Sequence, residues 1–123
     1  MGLDPVAAYA AYSAAWREKV DAEERNALLE RAWSEVGVFF DEDTPEGLVG
    51  RDALSEYIFG THEAMPGLVV TETSEPQILG DRLRVRWEAR QGGTQKFTGT
   101  DFLEFADDGR ISQLTMFYDS TPG

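Results

Sequence analysis

The sequence predicts an α+β domain, because its elements follow in the order helix, helix, strand and helix, and then as consecutive strands. The first half contains three helical segments, and Pro66-Gly67 ends the last of them. After Gly67 the chain alternates short β-branched or aromatic runs with tight turns. A length of 123 residues suits a single domain over residues 1–123, with room for a core and one internal pocket.

The three helices are predicted from their start and stop signals. Asp4, followed by proline, suits the N-cap of the first helix. Asp21 and Glu24 form a capping-box pattern at the start of the second helix. The third helix is predicted over about residues 51–65, before the Pro-Gly stop.

The strands are predicted from short runs between turn signals. Residues 36–41 are mostly apolar, with β-branched and aromatic side chains, which is typical of a buried strand. Residues 68–78 form one or two short strands, and residues 83–90 alternate apolar with charged side chains. Glycine-containing turns then separate two further strands, over residues 96–105 and 110–119. Consecutive strands joined by tight turns predict an antiparallel sheet.

The composition excludes several classes of function. With 23 acidic and 11 basic side chains the net charge is −12, which argues against nucleic-acid backbones and anionic membranes as partners. The absence of cysteine excludes disulfides, thiol nucleophiles and zinc–thiolate sites. The sequence has a single histidine and no group of carboxylates at the spacing typical of metal ligands, so we expect no metal site and no cofactor. Because secretory and transmembrane patterns are also lacking, we expect a cytoplasmic protein that binds an apolar small molecule.

Asp101 is the most informative candidate for a functional role. It shares one face of its predicted strand with Gly99 and with three apolar side chains that mark this face as the interior one: Phe97, Leu103 and Phe105. Because burial penalises a charged carboxyl, Asp101 must be paired, hydrogen-bonded or neutral. It is therefore either a structural aspartate held by backbone amides or an arginine, or an acid of raised pKa that donates a hydrogen bond to a ligand oxygen.

Two further titratable side chains are candidates for acid–base chemistry. Asp41 ends the first strand beside Phe39 and Phe40, where it suits a general base over an apolar pocket. The alternative is a solvated residue at the start of the following loop. His62 lies on the apolar stripe of the third helix, so it is either a core residue with one satisfied nitrogen or an acid–base group in the pocket.

Aromatic side chains around these groups predict a pocket for a flat apolar ligand. Most aromatic residues of a small domain belong to its core, and the same side chains can serve both purposes. The candidates for ligand contact are Tyr12, Trp16, Phe39, Tyr57, Trp87 and Phe117. The sequence contains no phosphate-binding loop, dinucleotide fingerprint or nucleophile elbow.

Several short motifs follow one another in order along nearly the whole chain. They are Trp16 to Asp21, Leu28-Leu29-Glu30, Val38-Phe39-Phe40-Asp41, Gly50-Arg51-Asp52-Ala53-Leu54, His62, Pro66-Gly67, Gly99-Thr100-Asp101-Phe102 and Asp108-Gly109-Arg110-Ile111. Their order and spacing resemble the SnoaL-like branch of the NTF2-like superfamily, which includes ketosteroid isomerases and polyketide cyclases. The resemblance implies an NTF2-like (cystatin-like) cone, in which three helices pack on a curved antiparallel sheet around a deep pocket.

The resemblance also implies roles for individual residues. Asp41 matches the general base of ketosteroid isomerases, and Asp101 matches their protonated oxyanion-hole aspartate. Trp16 stands where that family has its oxyanion tyrosine, and its indole N–H donates a hydrogen bond but cannot shuttle a proton. Tyr12 and Tyr57 are the alternative donors.

Three classes of function follow from these residues. The first is a cofactor-independent isomerase, cyclase or lyase that abstracts a proton next to a carbonyl. Asp41 is its base, Asp101 with Trp16 or a tyrosine stabilises the enolate, and His62 assists. The second is a non-catalytic module that holds an apolar ligand, and the third is a protein-interaction domain. Epoxide hydrolysis ranks lower, because it needs an inward-facing arginine, and the arginines of residues 83–90 face away from the apolar side.

The sequence also predicts a homodimer. Phe102 faces outward from its strand, together with Thr98 and Thr100. The last strand exposes either Leu114, Met116 and Tyr118, or Thr115 and Phe117. Either orientation leaves apolar area on the outer face of the sheet, which favours burial against a second copy with two-fold symmetry.

Overall fold

The computed structural model describes residues 4–17 and 19–120. It contains three helices, and each begins where the sequence predicts a helix start. Helix α1 spans Pro5–Ala15, α2 spans Ala22–Ala32 and α3 spans Arg51–Ala64. The Asp4 carboxylate accepts a hydrogen bond from the backbone N–H of Val6, and that of Asp21 accepts one from Glu24. Both side chains thus satisfy amide groups that an uncapped helix end leaves without a partner. No helix in this part of the chain has the length and apolar character needed to cross a membrane.

Seven strands form one sheet over the described residues. They are β1 (Trp33–Phe40), β2 (Leu48–Val49), β3 (Leu68–Glu72), β4 (Gln77–Leu79), β5 (Arg82–Gln91), β6 (Thr94–Phe105) and β7 (Ile111–Ser120). The sheet order is β2-β1-β7-β6-β5-β3, with β4 also beside β5. The α+β class with three helices is confirmed.

The first strand departs from the prediction in its start and in its pairing. It begins at Trp33 rather than at position 36, because the backbone turns directly from α2 into an extended conformation at that residue. It pairs antiparallel with β2, a short strand inside the segment predicted as a loop, and parallel with β7. The predicted antiparallel sheet is therefore mixed, because the long connection through α3 allows β1 and β7 to run in the same direction.

The inner face of the sheet packs against the helices and forms the core. The alternation predicted for residues 83–90 is confirmed, since Leu83, Val85, Trp87 and Ala89 are buried and the arginines between them are exposed. The predicted interior face of β6 is confirmed as well, with Leu103 fully buried and Asp101 beside it. This arrangement places a carboxyl group on the wall that faces the helices.

The outer face of the sheet exposes aromatic side chains. Leu114 faces inward on β7, so Phe117 faces outward with 55% of its surface exposed, and Phe102 on β6 is 37% exposed. We predict that two copies associate through this face. Light scattering at micromolar concentration should then report a particle of twice the 13.7 kDa chain mass. Phe117→Asp should reduce it to a monomer, because a charge buried between two sheets costs several kcal/mol.

A substitution on the opposite side of the molecule provides the control for this experiment. Val6→Asp introduces the same charge on the exposed surface of α1 and should leave the particle mass unchanged. A wild-type particle of 13.7 kDa at micromolar concentration would contradict the predicted dimer.

Candidate active site

A cavity of about 490 Å³ lies between α1, α3 and the inner face of the sheet. Its volume suits a small organic molecule. The aromatic residues that line it are Tyr9, Tyr12, Trp16, Tyr57, Trp87, Phe97 and Tyr118. The acidic residues that line it are Asp41, Asp43, Glu56 and Asp101, and no lysine, arginine or histidine of the described part of the chain does so.

Asp101 is the most deeply buried carboxyl group of this cavity, with 3% of its surface exposed. Its Oδ2 atom accepts a hydrogen bond of 3.1 Å from the Tyr9 hydroxyl, whereas Oδ1 is buried without a partner among the described residues. Burial raises the pKa of Asp101 to about 7, against the opposing effect of the Tyr9 hydroxyl and the nearby Trp87 indole. Near neutral pH the carboxyl therefore holds a proton part of the time and can donate a hydrogen bond into the cavity.

Three hydrogen-bond donors accompany Asp101 in the cavity lining. The Tyr12 hydroxyl and the indole N–H groups of Trp16 and Trp87 are all buried, and within residues 4–17 and 19–120 none has a partner. Burial and the charge of Asp101 raise the pKa of Tyr12 well above its ordinary value, so this hydroxyl stays protonated and remains a donor. Because buried polar groups are rarely left unpaired, these three donors are available to hydrogen-bond acceptors that enter the cavity.

Asp41 forms a second buried carboxyl, 6% exposed, directly after β1. Its Oδ1 atom accepts hydrogen bonds from the backbone N–H groups of Asp43 (3.0 Å) and Thr44 (2.9 Å) and from the Thr44 hydroxyl (2.8 Å). Its Oδ2 atom accepts a hydrogen bond from the Tyr57 hydroxyl. The solvated alternative for Asp41 is therefore wrong, because the following loop folds back and holds this carboxylate against the cavity.

Six of the nine predicted site residues line the cavity, and the other three lie outside its lining. The six are Tyr12, Trp16, Asp41, Tyr57, Trp87 and Asp101. His62 is half-buried, and its Nε2 atom lies 2.9 Å from the backbone carbonyl of Trp16. Since a carbonyl only accepts, Nε2 carries the hydrogen, and His62 ties α3 to the end of α1. His62 is not among the residues that line the cavity, and its catalytic assistance stays a prediction.

Phe39 and Phe117 are the other two predicted contacts that do not line the cavity. Phe39 is fully buried under the Tyr57 ring, with ring centroids 5.4 Å apart. Phe117 faces outward because its neighbours Met116 and Tyr118 occupy the inward positions of β7. Both predictions followed from aromatic character alone, which does not distinguish a core position or an outer face from a pocket wall.

Several lining residues were not predicted as site residues, and two of them carried a usable signal. Tyr9 lies three residues before Tyr12 and seven before Trp16, so all three share one face of the first helix. Tyr118 shares a strand face with Leu114 and Met116. In the described part of the chain, no group of three or more acidic or histidine side chains is arranged to hold a metal ion.

Comparison with known proteins assigns the chain to a family. The model of the SnoaL-like domain matches residues 7–114. No curated protein matches the chain significantly in sequence.

Solved structures share the fold over most of its length. A provisionally assigned isomerase of the SnoaL-like family from Agrobacterium tumefaciens is 26% identical, with a TM-score of 0.85 over 94% of this chain and 97% of that one. An NTF2-like protein of unknown function from Exiguobacterium is 20% identical, with a TM-score of 0.72 over 93% and 99%. A provisionally assigned ketosteroid isomerase from Kribbella flavida is 22% identical, with a TM-score of 0.72 over 97% and 80%. The chain therefore belongs to the SnoaL-like family and has the NTF2-like fold.

Proposed function

We propose that this protein binds a largely apolar small molecule bearing a carbonyl group and, without a cofactor, abstracts a proton from the carbon next to that carbonyl. One observation carries the proposal. The same cavity holds Asp101, a buried carboxyl with one oxygen that has no partner among the described residues, and Asp41, a carboxyl anchored by four hydrogen bonds. Two carboxyls in such different surroundings suit opposite roles, acid and base.

Asp101 and Tyr12 form the electrophilic side of the proposed site. In its protonated form Asp101 donates a hydrogen bond from Oδ1 to the carbonyl oxygen, and the Tyr12 hydroxyl donates a second. Both groups are buried, so the hydrogen bonds strengthen as negative charge develops on that oxygen in the enolate. The Tyr9 hydroxyl holds the other oxygen of Asp101 and orients the carboxyl.

Asp41 is the proposed base. Its Oδ1 atom is occupied by three donors from the following loop, while Oδ2 accepts only from Tyr57 and keeps one lone pair for a proton. The loop contacts hold the carboxylate in place during the transfer. When the ketone carries a carbon–carbon double bond beside the deprotonated carbon, proton removal gives a conjugated dienolate. Return of the proton to the far carbon of that dienolate moves the double bond and completes an isomerisation, in keeping with the isomerase names of the Agrobacterium and Kribbella proteins.

Exchange of ketone α-protons for deuterium tests the proposal without knowledge of the product. In heavy water, with a panel of cyclic aromatic ketones followed by proton NMR, the wild type should exchange α-protons of a bound ketone. Asp41→Asn should slow exchange at least about 100-fold, since general-base catalysis contributes that much. The wild-type rate should fall as the pH rises through about 7, because Asp101 then loses the proton it donates.

Glu42→Gln is the matched control for this substitution. It removes the charge of the neighbouring exposed carboxyl, which does not line the cavity, and should leave the exchange rate unchanged. Exchange at the wild-type rate in Asp41→Asn contradicts the assignment of the base. A wild type that binds ketones without exchange contradicts catalysis and supports the non-catalytic alternative, a module that holds an apolar ligand.

A further inference from the structure

Glu72 is a carboxyl group outside the cavity lining that lies on the same face of the sheet as the cavity. Along β3 the side chains of Leu68, Val70 and Glu72 share one face, because side chains alternate along a strand. Leu68 and Val70 line the cavity, so Glu72 occupies the next inward position, just beyond the lining. Its cross-strand neighbour on β5 is Trp87, which is itself part of the lining.

Helix α1 contacts Glu72 from the opposite side. The Ser13 hydroxyl donates a hydrogen bond of 2.8 Å to Oε1 of Glu72, and the Tyr9 hydroxyl donates the bond of 3.1 Å to Oδ2 of Asp101. Tyr9 and Ser13 are four residues apart, so they are neighbours on one face of the helix, about 6 Å apart at their Cβ atoms. One helical turn thus anchors two carboxyl groups, of which Asp101 is buried and Glu72 is exposed.

The charge of Glu72 acts on both partners of the buried hydrogen bond. A negative charge near a second carboxyl group favours the protonated form of that group. Burial is the main reason that the pKa of Asp101 rises to about 7, and the charge of Glu72 raises it further. The same charge contributes to the raised pKa of Tyr9, after the larger effects of burial, Asp101 and Tyr12.

We infer that Glu72, held in place by Ser13, keeps the proton on Asp101 near neutral pH and acts on the reaction through that group, as a positioning residue. The inference deepens the proposed function, on which its consequence for catalysis rests. Without its proton Asp101 could accept hydrogen bonds but could not donate one to the carbonyl oxygen of a ligand. Because Glu72 lies outside the lining, it supplies its charge without occupying space that the ligand needs.

The other titratable groups that line the cavity are acidic side chains or tyrosines. They are Tyr9 and Tyr12 on α1, Asp41 and Asp43 after β1, Glu56 and Tyr57 on α3, and Tyr118 on β7. Burial raises the pKa of each of the four tyrosines, so their hydroxyl groups stay neutral around pH 7. The arginines of β5 face the opposite side of the sheet. Within the described ranges no cation of the lining therefore opposes the effect of Glu72.

A series of charges at position 72 tests the inference. Carboxyl-carbon NMR follows the titration of Asp101 directly, with its signal assigned by its loss in Asp101→Asn. Glu72→Gln keeps an oxygen that accepts from Ser13 and should lower the pKa of Asp101 by about 0.5, and Glu72→Lys should lower it about twice as far. Salt at about 1 M should lower the wild-type value toward that of Glu72→Gln, because the exposed charge is screened.

Ser13→Ala tests the anchor separately. Without the hydroxyl the Glu72 side chain can turn into solvent, so the pKa of Asp101 should fall, but by less than in Glu72→Gln. Glu75→Gln is the matched control, because it removes the same charge from an exposed residue three positions further along the chain. This control should leave the titration of Asp101 unchanged.

The exchange of ketone α-protons reports the consequence for catalysis. At about pH 8, exchange by Glu72→Gln should be about threefold slower than by the wild type, because the protonated fraction of Asp101 falls by that factor. At about pH 5.5 the two rates should agree, because Asp101 is protonated in both proteins. A loss of rate that is the same at both pH values would indicate structural damage and overturn the inference.

The outcomes separate this inference from the proposed catalysis. An Asp101 titration that is the same in the wild type, Glu72→Gln and Glu72→Lys overturns the inference, as does an equal shift in Glu75→Gln. If the titration shifts as expected but the wild type exchanges no ketone proton, the effect of Glu72 on Asp101 stands and the catalytic proposal fails. If the wild type and Glu72→Gln exchange protons with the same pH dependence, only the inference fails.

Discussion

Asp101→Asn should stabilise the protein increasingly as the pH rises from about 4 to about 7, by up to about 4 kcal/mol at pH 8. Burial raises the pKa of Asp101 from 3.8 to about 7, so the folded protein keeps a proton that the unfolded chain releases. Across this window the wild type loses about 1.4 kcal/mol of unfolding free energy per pH unit, and above the folded pKa the loss is constant. Asparagine does not titrate in this range, so the variant does not lose this unfolding free energy.

Urea unfolding of both proteins between pH 4 and pH 8 measures this difference. The asparagine can still accept the hydrogen bond from Tyr9, so the comparison isolates the ionisation of one group. Asp108→Asn is the control of opposite sign, because hydrogen bonds from Arg110 lower the pKa of this exposed carboxyl. That substitution should cost a little stability at pH 8 and nothing at low pH. A pH-independent difference for Asp101→Asn would falsify the raised pKa.

Gly99→Ala should destabilise the protein by about 3 kcal/mol, whereas Gly60→Ala should stabilise it by about 1 kcal/mol. A Cβ atom on Gly99 would lie 2.3 Å from the carbonyl oxygen of Phe117 and 2.5 Å from the ring of Trp87. The carbonyl belongs to the neighbouring strand and cannot retreat without disturbing the pairing of β6 with β7. On α3, Gly60 has no heavy atom within 4 Å of such a position, so the added methyl only restricts the unfolded chain.

The midpoints of denaturant unfolding measure both effects, and tryptophan fluorescence, to which Trp87 contributes, reports on the cavity in the folded state. In Gly99→Ala the Trp87 ring must shift within the cavity lining, so we expect a changed emission maximum and a weakened affinity for ketone probes. Equal midpoints for Gly99→Ala and the wild type would show that the strands can separate locally at little cost.

The sequence predicted most of the fold because the relevant signals are local. The caps at Asp4 and Asp21, the helix stop before Pro66 and the alternation around Trp87 all depend on spacings of a few residues. The facing of Asp101 followed in the same way from apolar residues two positions apart on its strand. The family match and the resemblance of the motifs agree with these elements.

The parts that escaped prediction depend on contacts between distant segments. The hydrogen bond from Tyr9 to Asp101 joins residues 92 positions apart, and it depends on how α1 lies over β6. The loop that encloses Asp41 is a local exception, because Thr44 lies only three residues further along the chain, in a sequence context that is typical of an ordinary turn. The outward position of Phe117 depends on the register between β6 and β7. Such contacts have no periodic signature, so the sequence identifies candidate side chains without their partners.

The parallel pairing of β1 with β7 has a consequence for the order in which the protein folds. On one side β1 has only the short β2 as a neighbour, and on the other it meets the last strand of the sheet. During synthesis on the ribosome the backbone N–H and C=O groups on that edge of β1 therefore have no strand partner until β7 has emerged. Contacts between segments so far apart in sequence slow folding, and unpaired strand edges invite aggregation. The slowest folding step should be the docking of β7 between β1 and β6, and a nascent chain that lacks β7 should depend on chaperones.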